Sequence, residues 1–175
     1  MTDCVSLIGM PGSGKSTVGK AVATRLGLPY VDCDAAIERR AGCLIAAYFE
    51  RMGESAFRDL EMEVLAGLLL DGPTVLATGG GIVLRKANRE LLRTRTRCVY
   101  LDASLELLWT RLRRDRRRPL LQVPDPEARL RAMRAEREPL YRETAEIAVQ
   151  TDGLSFARLV GEVVRRVAAL PGRSA

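Results

Sequence analysis

One stretch restricts this chain more than any other: Gly9-Met10-Pro11-Gly12-Ser13-Gly14-Lys15-Ser16-Thr17. It fits the phosphate-binding pattern Gly-x-x-x-x-Gly-Lys-Ser/Thr, with an extra glycine at Gly12. The apolar run Cys4-Val5-Ser6-Leu7-Ile8 before it reads as a buried strand. Residues 15–26 after it carry apolar side chains at helical spacing and stop at Gly27. Strand, glycine loop and helix thus stand in the order that phosphate binding needs. Glycines let backbone N–H groups curl around phosphate oxygens, and the helix N-terminus adds positive potential. Lys15 is placed to reach the β- and γ-phosphates of a nucleotide, and the Ser16 hydroxyl to ligate magnesium. The plainer alternative, a glycine-rich turn ahead of a helix, does not account for the lysine and hydroxyl at those spacings.

Composition narrows the rest. The 175 residues suit one domain, and 47% hydrophobic content is that of a globular chain. No apolar run is long enough to span a membrane. Met1-Thr2-Asp3-Cys4 lacks the basic-then-hydrophobic pattern of a signal peptide, so a cytoplasmic location is expected. Cys4, Cys33, Cys43 and Cys98 have neither metal-site nor redox-motif spacing, and free thiols are expected. The absence of histidine excludes a histidine base or metal ligand. Net charge is +6, carried mostly by arginine, since Lys15, Lys20 and Lys86 are the only lysines. Aromatics make up 5%, which argues against a stacking platform for single-stranded nucleic acid.

Strand signals fall at 4–8, 29–32, 74–78, 97–102 and 146–150. Helical patterns lie between them, near 15–26, 34–41, 44–71 (broken about Gly53), 86–93, 104–113, 126–137 and 155–169. Alternating strands and helices predict an α/β domain, doubly wound in three layers, with a parallel sheet covered on both faces. Residues 33–62 form a helical insertion after the second strand. Residues 113–125 are charged, then proline-punctuated, which reads as a mobile loop.

The remaining motifs concern whatever receives the phosphate. Asp32 and Asp34 form an Asp-x-Asp pair at the end of the second strand, at the sheet edge where ligands bind in open α/β sheets. Period-two spacing can point both carboxylates one way. One can serve the magnesium shell and the other a reacting hydroxyl; the bland alternatives are a helix N-cap and a strand-end turn. Cys33 between them is expected to point into the core and to be inert. In Phe57-Arg58-Asp59-Leu60-Glu61, Arg58 and Glu61 stand three apart on a helix. They form either a surface ion pair or an arginine fork fixed by its glutamate and aimed at a substrate carboxylate. Thr78-Gly79-Gly80-Gly81 follows an apolar strand, exposing N–H groups or making a loose turn. That strand has no acidic residue, so Asp32 is the nearest substitute for the usual magnesium-shell aspartate. Arg118 lies in the loop, where a lid arginine could neutralise charge on a transferred phosphoryl group. Arg111 precedes it and could stack on adenine. The run 111–118 also suits a solvated basic face or a nucleic-acid patch. Arg137 heads Arg137-Glu138-Pro139-Leu140-Tyr141, where a helix is expected to stop before the proline.

Together these motifs resemble the shikimate kinases. The likeness covers residues 4–168: the phosphate loop 9–17, Asp32-Cys33-Asp34, the Phe57–Glu61 segment, Gly79-Gly80-Gly81, Arg118-Pro119-Leu120-Leu121 and the Arg137 motif. The resemblance implies a nucleoside-monophosphate-kinase-like P-loop fold with five parallel strands in the order 2-3-1-4-5. It implies transfer of the ATP γ-phosphate to the 3-hydroxyl of shikimate by a monomer with no nucleic-acid or membrane partner. Gly12, Ser13, Gly14, Lys15, Ser16, Thr17, Arg111 and Arg118 would hold ATP. Ser16 and Asp32 would organise Mg2+. Asp34, Arg58, Gly79, Gly80, Gly81 and Arg137 would hold shikimate, with Arg58 and Arg137 clamping its carboxylate. Lys15, Asp34 and Arg118 would be catalytic, Asp34 as base or as the group orienting the hydroxyl. Residues 33–62 become the shikimate-binding subdomain and 113–124 the lid. The competing readings are gluconate kinase or another small-molecule P-loop kinase, and, from another class, a non-catalytic nucleotide- or RNA-binding module.

Overall fold

The computed structural model describes residues 4–113 and 123–172. Arg118 and most of the expected lid lie outside them. Five strands form one parallel sheet: β1 (Cys4–Ile8), β2 (Tyr30–Asp32), β3 (Val75–Ala77), β4 (Thr96–Asp102) and β5 (Ile147–Gln150). Their order is β2-β3-β1-β4-β5. The helices are α1 (Lys15–Leu26), α2 (Cys33–Ala41), α3 (Ile45–Leu68), α4 (Lys86–Arg95), α5 (Leu105–Leu112), α6 (Pro126–Thr144) and α7 (Phe156–Ala168), with a 3-10 turn at Ile82–Leu84.

Strand alternation divides the core in two. Val5, Leu7, Val75, Val99 and Leu101 face α1 and α7, packing on Val18, Val22, Leu159 and Val163. Ile8, Leu76, Cys98 and Tyr100 face the other layer, with Leu65 of α3, Leu92 of α4, Leu108 of α5 and Tyr141 of α6. Each fully buried aliphatic or aromatic side chain of this kind stabilises by about 1.5–3 kcal/mol. The sheet is thus apolar on both faces, as a parallel sheet requires.

Two helices depart from the simplest reading of their sequence. α3 runs through a kink at Gly53 (φ 79°, ψ 173°), where the pattern predicts a break. α6 does not stop before Pro139; it continues to Thr144. An interior proline costs a helix about 3 kcal/mol. The turn beyond it carries Tyr141, which is fully buried and stacks on Tyr100 with ring centroids 5.1 Å apart. Burying and stacking that ring outweigh the proline. Arg137 is therefore a buried mid-helix residue rather than a terminal cation.

Candidate active site

The phosphate loop closes on itself. Lys15 is buried, and its Nζ donates to the Gly9 and Met10 carbonyls at 2.8 and 2.9 Å. Gly12 and Gly14 adopt left-handed backbone (φ 83° and 97°). A Cβ on Gly12 would meet Leu112 Cγ at 2.9 Å, so that position needs glycine on both counts. Side chains cap the N-termini of α2, α5, α6 and α7 (Asp32, Ser104, Asp125 and Ser155). α1, like α3 and α4, has no side-chain cap; its N-cap residue, Gly14, lines the cavity. A helix N-terminus of this kind suits an anion. The cavity measures 440 Å³ and is lined by residues 11–18, including Thr17, with Asp34, Gly80, Arg111 and Thr151. Arg111, in the last turn of α5, donates to the Gly12 carbonyl at 3.0 Å.

Asp32 and Asp34 reach the cavity by different routes. α2 starts at Cys33, so strand alternation does not set their directions. Asp32 is the N-cap of α2: its Oδ1 accepts from the Asp34 and Ala35 amides at 3.1 and 3.3 Å. Its Oδ2 accepts from the Ser16 hydroxyl at 3.0 Å and the Tyr30 hydroxyl at 3.2 Å. The cap and the Ser16 partnership expected of a magnesium shell coexist on one carboxylate. Asp34 sits in the first turn of α2 and lines the cavity against Gly79. Cys33 is buried as expected; burial and the flanking aspartates push its thiol well above the ordinary range.

Arg58 Nη1 donates to both oxygens of Glu61, at 3.0 and 2.9 Å. Glu61 is 2% exposed, so this is a buried pair and not a surface one. Burial raises the Glu61 carboxyl, while Arg58 and, further off, Arg137 pull it down. The 79–81 turn is packed by side chains rather than loose. A Cβ on Gly79 would lie 2.6 Å from Asp34 Oδ1, and one on Gly80 would lie 2.8 Å from Pro11 Cδ. A Cβ on Gly81 would overlap the Arg58 guanidinium. The glycines are needed for space and not for left-handed backbone. Arg58 and Arg137 do not line the cavity themselves; Asp34 and Gly80 do, and the glycine turn joins them to Arg58.

Four of the seven unpartnered buried polar atoms among the described residues belong to the predicted site residues or to the cavity lining, the other three being on Asn88 and Arg89 of α4. Ser13 Oγ, Arg58 Nε, Arg137 Nε and Thr151 Oγ1 have no hydrogen-bond partner among the described residues. Buried donors without acceptors are unusual in a finished structure and suit a polar ligand. Thr151 and Phe156 line the cavity with Arg111. Sequence reasoning found only a weak signal in the loop near Thr151-Asp152-Gly153 and missed Phe156 and the structural part of Tyr141. A lone phenylalanine after a strand carries no sequence signal. Tyr141 was visible only as the end of a motif.

A parallel sheet of this order with a phosphate loop after its central strand, and an acid-and-arginine cluster at the same edge, defines a P-loop small-molecule kinase. The comparisons are narrower. The family profile "Shikimate kinase" matches residues 11–168. A shikimate kinase of Paracidovorax citrulli is 50% identical over 166 residues, covering 93% of this chain and 91% of the relative. One of Burkholderia thailandensis is 47% identical over 163 residues, 93% of this chain and 89% of the relative. The solved structure of the Acinetobacter baumannii shikimate kinase in complex with shikimate superposes with a TM-score of 0.92 at 40% identity, covering 97% of this chain and 94% of that one. The chain belongs to the shikimate kinase family, and it is an ATP-dependent kinase. A gluconokinase of Sinorhizobium meliloti, at 21% identity and a TM-score of 0.58, shares the fold alone.

Proposed function

We propose that the chain phosphorylates the 3-hydroxyl of shikimate, giving shikimate 3-phosphate and ADP, with donor and acceptor at opposite ends of one site. ATP takes the phosphate-loop end. Backbone N–H groups of Gly12, Ser13, Gly14, Lys15, Ser16 and Thr17 hold its phosphates, and Lys15 exchanges the loop carbonyls for phosphate oxygens. Arg111, Thr151 and Phe156 border the adenine. Mg2+ would be held by Ser16 and Asp32 and would neutralise phosphate charge. One hydroxyl and one carboxylate suit an ion that keeps several waters and takes its other ligands from phosphate. No cluster of three acidic or thiol groups that could cage a metal exists among the described residues.

Shikimate takes the other end. Arg58 and Arg137 clamp its carboxylate, Asp34 faces its hydroxyls, and Gly79, Gly80 and Gly81 form the wall. One observation carries this assignment: Arg58 Nε is buried with no hydrogen-bond partner although Glu61 engages its Nη1, and Arg137 Nε, also buried, makes no hydrogen bond and has the Glu136 carboxylate only at 3.9 Å. A planar anion would satisfy both donors. Because phosphoryl transfer asks for little covalent work, positioning and charge neutralisation carry the rate. Arg118 completes the neutralisation, and residues 113–124 close over the site to exclude water. Asp34 orients the attacking hydroxyl and receives its proton. We place the enzyme in the cytoplasm as a monomer, with residues 33–62 as the acceptor-binding part of a single domain and no nucleic-acid or membrane partner. About half of the described arginines are engaged by carboxylates, as in Arg40–Glu63, Arg97–Glu146 and Arg142–Asp102, which supports that reading over RNA binding.

The test is ADP release with shikimate, quinate, gluconate and nucleoside monophosphates as acceptors. Shikimate alone, or shikimate far above the others, is expected to support turnover. Arg58→Ala and Arg137→Ala should each raise KM for shikimate with KM for ATP unchanged. A change confined to ATP would overturn the acceptor assignment.

A further inference from the structure

Three ligand-facing segments meet at one phenol. Tyr141 is fully buried in α6, and its hydroxyl donates to the carbonyl of Gly80, the middle residue of the glycine turn. The same oxygen lies 3.9 Å from Sδ of Met10, whose carbonyl holds Lys15. Arg137 stands one helical turn before Tyr141 on the same helix. Gly80 in turn rests on Pro11 of the phosphate loop. Behind the ring, Tyr100 stacks at 5.1 Å with planes 20° apart. The Tyr100 hydroxyl donates to Asp102 at 3.1 Å, and Arg142, next to Tyr141, donates to the same carboxylate at 2.7 Å. The phenol is thus held from behind and touches the phosphate loop, the acceptor wall and the arginine helix in front. Burial pushes its ionisation far above neutral pH, so it remains a donor throughout the working range.

We propose that Tyr141 is a positioning residue for phosphoryl transfer, its hydroxyl fixing the 79–81 turn in register with the phosphate loop and with Arg137. It touches no reacting atom. Its effect runs through the Gly80 carbonyl, which without the hydroxyl would lose its buried donor and let the turn shift away from Pro11 and Asp34. This rests on the placement of shikimate against that turn.

Tyr141→Phe keeps the ring and its stack and removes only the hydroxyl. Tyr100→Phe is the matched control, removing a buried hydroxyl of the same stack that faces Asp102 instead. The expected result for Tyr141→Phe is a rise in KM for shikimate of about threefold to tenfold, the fold-change of one lost neutral hydrogen bond, with kcat lowered and KM for ATP unchanged. Amide exchange should quicken at Ile82 and Leu84, whose N–H groups bond to Gly79 and Gly81 at 3.2 and 3.0 Å. Tyr100→Phe should leave the shikimate KM and these two amides unchanged. Kinetic constants within about twofold of the parent for Tyr141→Phe, or equal effects from both variants, would overturn the proposal. Failure of the acceptor placement is separable, because Arg58→Ala and Arg137→Ala would then leave the shikimate KM unmoved.

Discussion

At Asp32 the two carboxylate oxygens have separate duties. Oδ1 caps α2 through two amides, and Oδ2 receives the Ser16 and Tyr30 hydroxyls. Asp32→Asn retains an oxygen for the cap, so urea unfolding should change by less than about 1 kcal/mol. The magnesium concentration for half-maximal rate should nevertheless rise, because the charge is gone. Asp32→Ala should lose the cap as well, at about 0.5–2 kcal/mol. The Arg58–Glu61 pair makes a pH prediction. Burial raises the Glu61 carboxyl, so the folded chain holds that proton at pH values where the unfolded chain has released it. This contribution to stability therefore falls as pH rises from the ordinary carboxylate value through the raised one. Arg58→Met removes the larger of the two arginine influences that pull Glu61 down, and its only hydrogen-bonded cation among the described residues, leaving Arg137. The variant should lose about 3–5 kcal/mol near pH 8, where a buried charge is left unpaired. It should lose less near pH 5, where Glu61 can take up a proton. Denaturant midpoints at the two pH values test the sign, and an equal loss at both would contradict it. Sequence spacing supplied this pair, but its burial came only from packing: α3 could have turned Arg58 and Glu61 to solvent with the same three-residue interval.

Among the elements, α3 and α6 mark where local reading succeeds and where it stops. Gly53 interrupts a helical pattern, and the structure places a kink there with backbone angles that essentially only glycine adopts. Nothing lies within 4 Å of where its Cβ would go, so substitution meets backbone strain alone. Gly53→Ala should lose about 1–3 kcal/mol by thermal or urea unfolding. It should also weaken shikimate binding, since Arg58 and Glu61 lie on the segment beyond the kink. An unchanged midpoint would mean that the helix straightens without penalty. Pro139 is the opposite case. Local rules end α6 before it, and distant partners of the last turn, the Tyr100 ring, the Gly80 carbonyl and Asp102, explain why the helix goes on. The glycine turn shows the same limit. Its position after β3 was legible, but the reason for its composition was not, because Asp34, Pro11 and Arg58 come to it from three other parts of the chain.

Over the whole molecule, the strands and their parallel arrangement followed from apolar runs and alternation, with boundaries within a residue or two. Strand order did not follow from them; it came from resemblance alone. Burial divides the thiols. Cys4, Cys33 and Cys98 are buried and Cys43 is half-buried. Titration of the native protein with a thiol reagent should consume one equivalent quickly, at Cys43, without loss of activity, and the other three only on unfolding. Fast modification of Cys33 with inactivation would contradict the packing of α2 on the sheet.

The strand order also bears on how such an enzyme can be diversified. β2 and β3 lie on one side of β1, and β4 and β5 on the other. Apart from Arg137, the proposed acceptor residues lie within residues 30–84, while Arg111, Thr151 and Phe156 come from beyond β4. On the proposed site, acceptor preference would be encoded almost as one contiguous cassette, with two outlying positions on α6, Arg137 and Tyr141. Exchanging that cassette together with positions 137 and 141 between relatives should transfer acceptor preference while the apparent affinity for ATP stays with the recipient.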